Sequence, residues 1–556
     1  MRQPILAAAL AATLVIVGGA RAREAGPAPA QDPPAAPRPS LVLAISVDQF
    51  SADLFAEYRR FYTGGLARLQ DGAVFPSGYQ SHAATETCPG HSTLLTGVRP
   101  ARSGIIANNW YDPASSRPDK RIYCAEDESD PRSSSKDPVV SAVHLKVPTL
   151  GERMKAADPG SRNVAVSGKD RAAIMMAGHR ADAAYWWKGS GFTGIGKLSR
   201  AAEAANAAVV ATVQAGAPAF EAPAWCAARD HAVPVRGFTI GSFRFALPAG
   251  QPDAFRASPR LDEATVELAL GLVDELNLGM GRATDVLSVS LSANDYIGHA
   301  FGTEGVEMCI QQAALDRTIG GLLAGLDRRG IDYQVVLSAD HGGIDAPERL
   351  DQQALPTAAR ADAALAPAAL GRRITEATGI ASPGGVLVYG DGAGGDYYVA
   401  RDIGKDQRAR VVAALAEQLA ANPQVAAAYT SEQLAAVPSP GGSPQDFTLQ
   451  QRARASYFPG RSGDVVTLLK RGVVGVSDPR PGLTSTHGSP WDYDRRVPIL
   501  FWRKGMAGFE QPAPVETIDI APTLAAVLRL RVPDGAFDGR CLDLDAGAGD
   551  SCGAGR

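Results

Sequence analysis

The sequence lacks any excess of basic residues. Its 55 lysines and arginines are outnumbered by 59 aspartates and glutamates, which gives a formal net charge of −4 over 556 residues. A chain without a basic footprint is not expected to bind nucleic acid through charge. The 45% of hydrophobic and 21% of charged residues are typical of a globular protein with a large core, and they exclude a wholly disordered chain.

A hydrophobic run long enough to span a membrane is also missing. The apolar stretch Ile5–Val17 is shorter than the roughly 20 residues that a spanning helix needs. It follows a charged N-terminus and precedes a small-residue cleavage pattern at 20–22, so residues 1–22 are predicted to be a cleaved signal peptide, with an uncleaved anchor as the alternative. We therefore expect a periplasmic or secreted protein without a membrane anchor.

Cysteines are few, and none forms a CxxC pattern. In an oxidising compartment such scattered residues predict disulfides rather than metal ligands, here for Cys88, Cys124, Cys226, Cys309, Cys541 and Cys552. Six cysteines allow 15 pairings. Only the pair Cys541 and Cys552, close together near the C-terminus, is predicted from the sequence.

Hydrophobic runs that end in polar residues recur along the chain. They predict buried parallel strands at 41–47, 164–166, 286–291 and 335–337. Amphipathic patterns predict helices at 262–276, 306–326 and 518–530. This alternation predicts an α/β fold with a doubly wound, mostly parallel sheet flanked by helices.

A single catalytic domain is predicted over residues 40–545. An Ala/Pro-rich linker precedes it at 23–39, and a flexible C-terminal tail is predicted at 546–556. Segments at about 172–259 and 345–478 interrupt the α/β pattern and are predicted to be insertions that cap the core. Their aromatic residues either line a substrate entrance or pack within a small subdomain, and the sequence gives no oligomeric state.

Acidic and histidine side chains gather where the predicted strands end. Ligands of α/β sheets bind at the carboxyl ends of the strands, and imidazole and carboxylate groups suit Zn²⁺. Six such ligands are enough for two metal sites that each keep an open position. The candidate metal ligands are Asp48, Asp295, His299, Asp340, His341 and His487.

The segment 85–93 predicts a loop that leads into a helix, with a threonine hydroxyl at the helix N-terminus. Exposed amides and the helix dipole stabilise negative charge there. Because a threonine hydroxyl is almost never ionised at neutral pH, a metal must activate it if it is to act as a nucleophile. By itself, Thr87 is better explained as a helix N-cap or a buried hydroxyl than as a nucleophile.

Together these motifs resemble the threonine-nucleophile, zinc-dependent alkaline phosphatases of the alkaline phosphatase superfamily. The resemblance rests on Thr87–His91, on Asn108, on the Lys169-Asp170-Arg171 triplet and on the acid and histidine set, and it extends through 457–464 and 517–524. It implies two Zn²⁺ per chain. It also implies hydrolysis of phosphate monoesters, with inorganic phosphate as product, through a phosphothreonine intermediate.

Carried over residue by residue, the resemblance implies that Asp295, His299 and His487 bind one zinc. The second would be bound by Asp48, Asp340, His341 and Thr87. Asn108, Lys169 and Arg171 would form a clamp for the phosphoryl group, with an amide donor, a point charge and a planar fork.

The nearest alternative is a nucleotide pyrophosphatase/phosphodiesterase, because those relatives share the metal set and the threonine. They lack the Lys-x-Arg clamp and differ at the positions of Cys88 and Gly90, which favours a monoesterase with diesterase activity as a side reaction. A sulfatase is disfavoured because Cys88-Pro89 does not match the C-x-P-x-R spacing. An inactive binding protein on the same scaffold would have no need of the complete set of side chains.

Overall fold

The computed structural model describes Met1, residues 37–355 and residues 357–553. The chain divides into an N-terminal unit, Met1–Pro37, and a second unit, Arg38–Arg556. The predicted signal peptide after Met1, and the linker before residue 37, lie outside the described residues. None of the described helices is long and apolar enough to cross a bilayer.

The described residues of the second unit form twenty strands. In chain order they are β1 (Leu41–Val47), β2 (Ala73–Tyr79), β3 (Asn109–Tyr111), β4 (Arg121–Tyr123), β5 (Asn163–Ser167), β6 (Ala183–Lys188), β7 (Gly191–Gly194), β8 (Val233–Val235), β9 (Phe238–Ile240), β10 (Asp285–Leu291), β11 (Tyr333–Ser338), β12 (Ala359–Arg360), β13 (Val388–Gly390), β14 (Gly395–Val399), β15 (Val425–Thr430), β16 (Val465–Leu469), β17 (Val473–Val474), β18 (Arg496–Arg503), β19 (Phe509–Glu510) and β20 (Val515–Glu516).

Eighteen α-helices occur in the same described residues. They are α1 (Ala52–Tyr58), α2 (Gly65–Leu69), α3 (Thr87–Thr96), α4 (Pro100–Ser103), α5 (Leu150–Ala157), α6 (Asp170–Ala177), α7 (Arg200–Ala215), α8 (Asp253–Arg256), α9 (Arg260–Leu276), α10 (Ala293–Phe301), α11 (Val306–Arg328), α12 (Pro347–Gln352), α13 (Pro367–Thr378), α14 (Lys405–Ala420), α15 (Ser431–Ala435), α16 (Leu449–Ser456), α17 (Asp492–Arg495) and α18 (Ile520–Val527).

A ten-stranded mixed sheet organises this unit. Its order is β19-β2-β18-β11-β1-β10-β5-β6-β7, with β20 paired to β2. The five strands from β11 to β6 run parallel, whereas β18 is antiparallel to both of its neighbours. The predicted α/β class is confirmed, and the four predicted strands are β1, β5, β10 and β11.

Helices cover both faces of this sheet. Leu43 and Ile45 of β1 pack in one apolar cluster with residues of α9 and α11, whereas Val42 and Ala44 pack in another with α3 and α18. Successive side chains of a strand point to opposite faces, so a run that is apolar at every position is buried on both sides.

The two predicted insertions differ in their relation to this sheet. Residues 183–194, assigned by the sequence to the first insertion, form β6 and β7 at one end of the central sheet. The three aromatic residues of β6, Tyr185, Trp186 and Trp187, are buried there, and Trp187 stacks on Phe255. The second insertion contains a separate four-stranded sheet, β13-β14-β16-β15, packed against α13 and α14. We call this sheet the cap sheet.

Three disulfides use all six cysteines. They join Cys88 to Cys124, Cys226 to Cys309 and Cys541 to Cys552. The predicted pair Cys541–Cys552 is confirmed, and it closes a loop that includes residues of the predicted C-terminal tail. The other two pairs are separated by 36 and 83 residues, and the sequence had left them open.

Candidate active site

Adjacent parallel strands bring the predicted site residues together. Four strands of the central sheet lie side by side in the order β11, β1, β10 and β5. Val47 at the end of β1 pairs with Leu291 at the end of β10. Asp48 follows β1 directly, and Asp340 lies two residues beyond β11. Their carboxylates are fully buried at the carboxyl edge of the sheet, where the strand ends meet.

Asp295, His299 and His487 converge on one point. Asp295 and His299 are one helical turn apart on α10, and Asp295 Oδ1 lies 3.4 Å from Nε2 of both His299 and His487. Nδ1 of His299 donates to Ser485 O at 2.9 Å, and Nδ1 of His487 donates to Thr85 O at 2.8 Å. Since a carbonyl oxygen only accepts, each Nε2 keeps its lone pair for a metal.

The second predicted set adjoins the first. His341 Nδ1 donates to Gly342 O at 2.8 Å, and its Nε2 lies 3.1 Å from Asp340 Oδ2. The rings of His341 and His487 stack with centroids 3.6 Å apart. By distance alone, the ligand atoms fall into the groups Asp295, His341, His487 and Asp48, His91, Asp340. His341 therefore lies at the boundary between the two predicted zinc sites.

Lone pairs in this cluster are left without donors. Asp295 Oδ1, Asp340 Oδ2 and His341 Nε2 are buried and accept no hydrogen bond. An unsatisfied buried acceptor costs free energy, and a divalent cation satisfies carboxylate and imidazole lone pairs together. The residues present therefore fit a metal centre.

Local charges keep the acids ionised in the metal-free protein. Burial raises the pKa of Asp48 and of Asp295, but the ammonium of Lys169 together with the neighbouring histidines outweighs it and holds both pKa values below their ordinary range. Lys169 Nζ lies 2.5 Å from Asp295 Oδ2 and 3.0 Å from Asp48 Oδ2. Burial lowers the pKa of His487 to about 4, so that its ring is neutral and ready to bind a metal at neutral pH.

Thr87 is the first residue of α3, as the sequence predicts. Its Oγ1 lies 3.5 Å from Lys169 Nζ and 3.4 Å from Arg171 Nη2. Lys169 is only 3% exposed, which excludes a solvated surface charge. Asn108 Oδ1 accepts from Cys88 N at 2.8 Å, one residue beyond Thr87.

A cleft of about 370 Å³ reaches this cluster from the surface. Asn108, Arg171 and His487 line this cleft together with residues of the cap sheet, including Tyr398. Residues of the predicted phosphoryl clamp and of the cap sheet thus share one cleft.

Two side chains of this cluster were not predicted from the sequence. His91 is fully buried on α3, with Nε2 3.3 Å from Asp48 Oδ1 and Nδ1 3.3 Å from Asp340 Oδ2. Burial lowers the pKa of His91, but the two carboxylates outweigh it and raise it to about 10. Glu86 accepts from Asn108 N at 2.7 Å. A signal was present for His91, because a residue four positions after Thr87 lies on the same face of a helix.

Gly90 permits a close backbone contact at the site. A Cβ atom built on Gly90 would lie 2.1 Å from Asp340 O. Any side chain at this position would push α3 away from the loop that carries Asp340 and His341. This explains in physical terms why a glycine precedes His91.

Comparisons with known proteins identify the family of this chain. The profile of the type I phosphodiesterase/nucleotide pyrophosphatase family matches residues 42–490. The chain is 52% identical over 524 residues to the alkaline phosphatase PhoK of Sphingomonas sp, which covers 93% of each chain. It is 47% identical over 523 residues to the alkaline phosphatase PhoD of Zymomonas mobilis subsp. mobilis, covering 92% of this chain and 89% of that one.

The fold agrees as well. The crystal structure of the alkaline phosphatase PafA superposes with a TM-score of 0.79 at 25% identity, covering 91% of this chain and 99% of PafA. The predicted resemblance to the alkaline phosphatase superfamily is confirmed. The chain belongs to the type I phosphodiesterase/nucleotide pyrophosphatase family and, within it, to the alkaline phosphatases.

Proposed function

We propose that this protein is an alkaline phosphatase that hydrolyses phosphate monoesters through a phosphothreonine at Thr87. The observation that carries the proposal is the surroundings of the Thr87 hydroxyl. It lies within 3.5 Å of both Lys169 and Arg171, at the N-terminus of α3. Cations and helix N-termini stabilise the negative charge of a phosphoryl group.

The reaction then has two displacements at phosphorus. In the first, Thr87 Oγ1 forms a bond to phosphorus while the bond to the leaving oxygen breaks. In the second, water attacks phosphorus and the bond to Thr87 breaks, which releases inorganic phosphate. Arg171 and Asn108 line the cleft beside Thr87, where they would hold the non-bridging oxygens in place.

The metal centre is proposed to hold two Zn²⁺. The proposed ligands are Asp48, Thr87, Asp295, His299, Asp340, His341 and His487. When bound, the two ions would lower the pKa of the threonine hydroxyl and of water and would stabilise the leaving oxygen. The carbonyl groups of Thr85 and Ser485 hold His487 and His299 in the tautomer that such binding needs.

Lys169 and Arg171 are the groups that favour a monoester over a diester. A phosphate monoester carries two negative charges and a diester only one. Two cations next to the nucleophile therefore stabilise the monoester more, by the energy of the additional charge. The nucleotide pyrophosphatase/phosphodiesterase activity remains the second candidate, because the matching family profile carries that description.

The experiment compares p-nitrophenyl phosphate with bis-p-nitrophenyl phosphate. kcat/KM is measured for each substrate, with and without added zinc, on the unaltered protein and on the double variant Lys169→Ala/Arg171→Ala. The exposed cations Lys188 and Arg200, changed together to alanine, provide a control for the loss of two positive charges. We expect the unaltered protein and this control to prefer the monoester, and the clamp variant to lose mainly the monoesterase activity. A preference for the diester that the clamp variant retains would identify a phosphodiesterase.

Export to the periplasm or the medium is part of the proposal. The signal-like residues 1–22 support it, and so do the three disulfides, because disulfides persist in oxidising compartments. Cell fractionation combined with N-terminal sequencing of the mature protein tests it. Activity confined to the cytoplasm, on a chain that retains residue 1, would contradict it.

A further inference from the structure

A short hairpin adjoins the site at both of its ends. Its strands β3 and β4 pair antiparallel, with Asn109 opposite Tyr123. Asn108 lies directly before β3, and Cys124 lies directly after β4. The two ends are also joined to each other, because Cys124 N donates to Asn108 O at 2.9 Å.

The disulfide Cys88–Cys124 fastens this hairpin to the nucleophile helix. Cys88 follows Thr87 in α3, and both sulfur-bearing residues are fully buried. The backbone N–H of Cys88 donates to Asn108 Oδ1 at 2.8 Å. One covalent bond and two hydrogen bonds thus close a ring in which Asn108 has little freedom to move relative to Thr87.

A second anchor reaches Arg171. The hydroxyl of Tyr123 donates to Asp170 Oδ1 at 2.5 Å, and the same oxygen accepts from Arg171 N at 2.7 Å. Asp170 is the first residue of α6, so the hairpin also fixes the start of the helix that carries Arg171. Asn108 and Arg171 are therefore held by the two ends of one element.

We propose that the Cys88–Cys124 disulfide, with Tyr123, positions Asn108 and Arg171 against Thr87, and that this positioning sets the preference for dianionic phosphoryl groups. The inference rests on the proposed function. The alternative is that the disulfide stabilises residues 105–146 and has no influence on substrate choice. The two differ in the ratio of monoesterase to diesterase activity, which a loss of stability alone does not move.

The test uses two variants with a matched control for each. Cys88→Ser/Cys124→Ser removes the covalent anchor, and Cys541→Ser/Cys552→Ser removes a disulfide near the C-terminus. Tyr123→Phe removes the hydroxyl that bonds Asp170. Tyr333→Phe is its control, because Tyr333 OH donates to Asp327 Oδ1 at 2.8 Å beside Arg68, in a Tyr–Asp–Arg arrangement outside the cleft.

KM and kcat for the two nitrophenyl esters, the inhibition constant of inorganic phosphate and Tm are measured for all variants. A misplaced charged donor costs roughly tenfold in binding. We expect a rise of about tenfold in KM for the monoester and in the inhibition constant of phosphate for Tyr123→Phe and the Cys88/Cys124 variant. We expect diester kinetics within about threefold of the unaltered protein and an unchanged ratio in both controls.

An unchanged ratio of monoesterase to diesterase activity in the folded Cys88/Cys124 variant would overturn the proposal, whatever its Tm. If that variant does not fold, Tyr123→Phe is judged by the same ratio. The proposed function is tested separately by the unaltered protein. A lack of monoesterase activity there contradicts the phosphatase assignment, whereas an unchanged ratio in an active variant contradicts only the positioning role.

Discussion

Gly90→Ala is the substitution whose effect the structure defines best. The added Cβ would lie 2.1 Å from Asp340 O, 2.7 Å from its carbonyl carbon and 2.8 Å from its Cα. All three are backbone atoms, so no side-chain rotation relieves the contact. A carbon–oxygen contact normally needs about 3.3 Å, so α3 and the Asp340 loop must separate by about 1 Å.

This separation divides the proposed site. Thr87 lies on the helix that moves, whereas Asp340 and His341 lie on the loop that it leaves. A displacement of about 1 Å between reacting groups costs roughly 100-fold in rate, and overpacking of a core costs about 1–3 kcal/mol of stability. We therefore expect kcat/KM for p-nitrophenyl phosphate to fall by about 100-fold in Gly90→Ala, with a lower Tm.

Gly321→Ala is the matched control. Gly321 lies within α11, where an added Cβ meets no atom within 4 Å. Alanine is favoured over glycine inside a helix by about 1 kcal/mol, so this variant should keep full activity and an equal or higher Tm. Steady-state kinetics, thermal denaturation and zinc analysis of both variants provide the assay. Activity of Gly90→Ala within twofold of the unaltered protein would contradict the predicted separation of α3 from the Asp340 loop.

Two further predictions concern metal and pH. Dialysis against EDTA should abolish phosphatase activity and lower Tm, and added zinc should restore both, because a metal that binds only the folded state stabilises it; full activity in protein shown by elemental analysis to be free of metal would contradict the two-metal site. Burial raises the pKa of Asp262 to about 7, so its cost to stability is absent below its ordinary value near 4 and complete above pH 7. In Asp262→Asn, Oδ1 keeps the bond from Ala293 N, and the new NH2 replaces the oxygen that accepts from Gln311 Nε2. Turning the Gln311 amide over brings its Oε1, which has no partner, to face this NH2 as acceptor. The Tm gain should therefore grow from pH 4 to pH 7 and then level off, and a gain independent of pH would count against this cause.

The strand ends and the nucleophile helix were accessible to sequence reasoning because their signals are local. A continuous aliphatic run before Asp48 indicates a strand buried on both faces, and neighbouring parallel strands place their ends side by side. The turn before Thr87 and the apolar residues after it predict the start of α3. The pair Cys541–Cys552 was also predictable from a local signal, because the two cysteines lie close together in the sequence.

Pairings over long sequence distances were not accessible. β18 enters the central sheet antiparallel between β2 and β11, at the end of a long excursion through the cap sheet. Residues 183–194 were assigned to an insertion because the segment 172–259 interrupts the alternation of strands and helices in the sequence, yet they add two strands to the sheet. The partners of Cys88 and Cys226 depend on which loops the folded chain brings together.

Sequence patterns alone predicted the α/β class, the acidic side chains that follow β1, β10 and β11, and the threonine at a helix start. These follow from hydrophobic periodicity and from the chemistry of single side chains. Only the tertiary structure decided that His91 lies between Asp48 and Asp340 and that Gly90 lies against the Asp340 backbone. Such contacts depend on the packing of α3 against the strand ends, which is set by the shape of the whole core and is encoded in no local pattern.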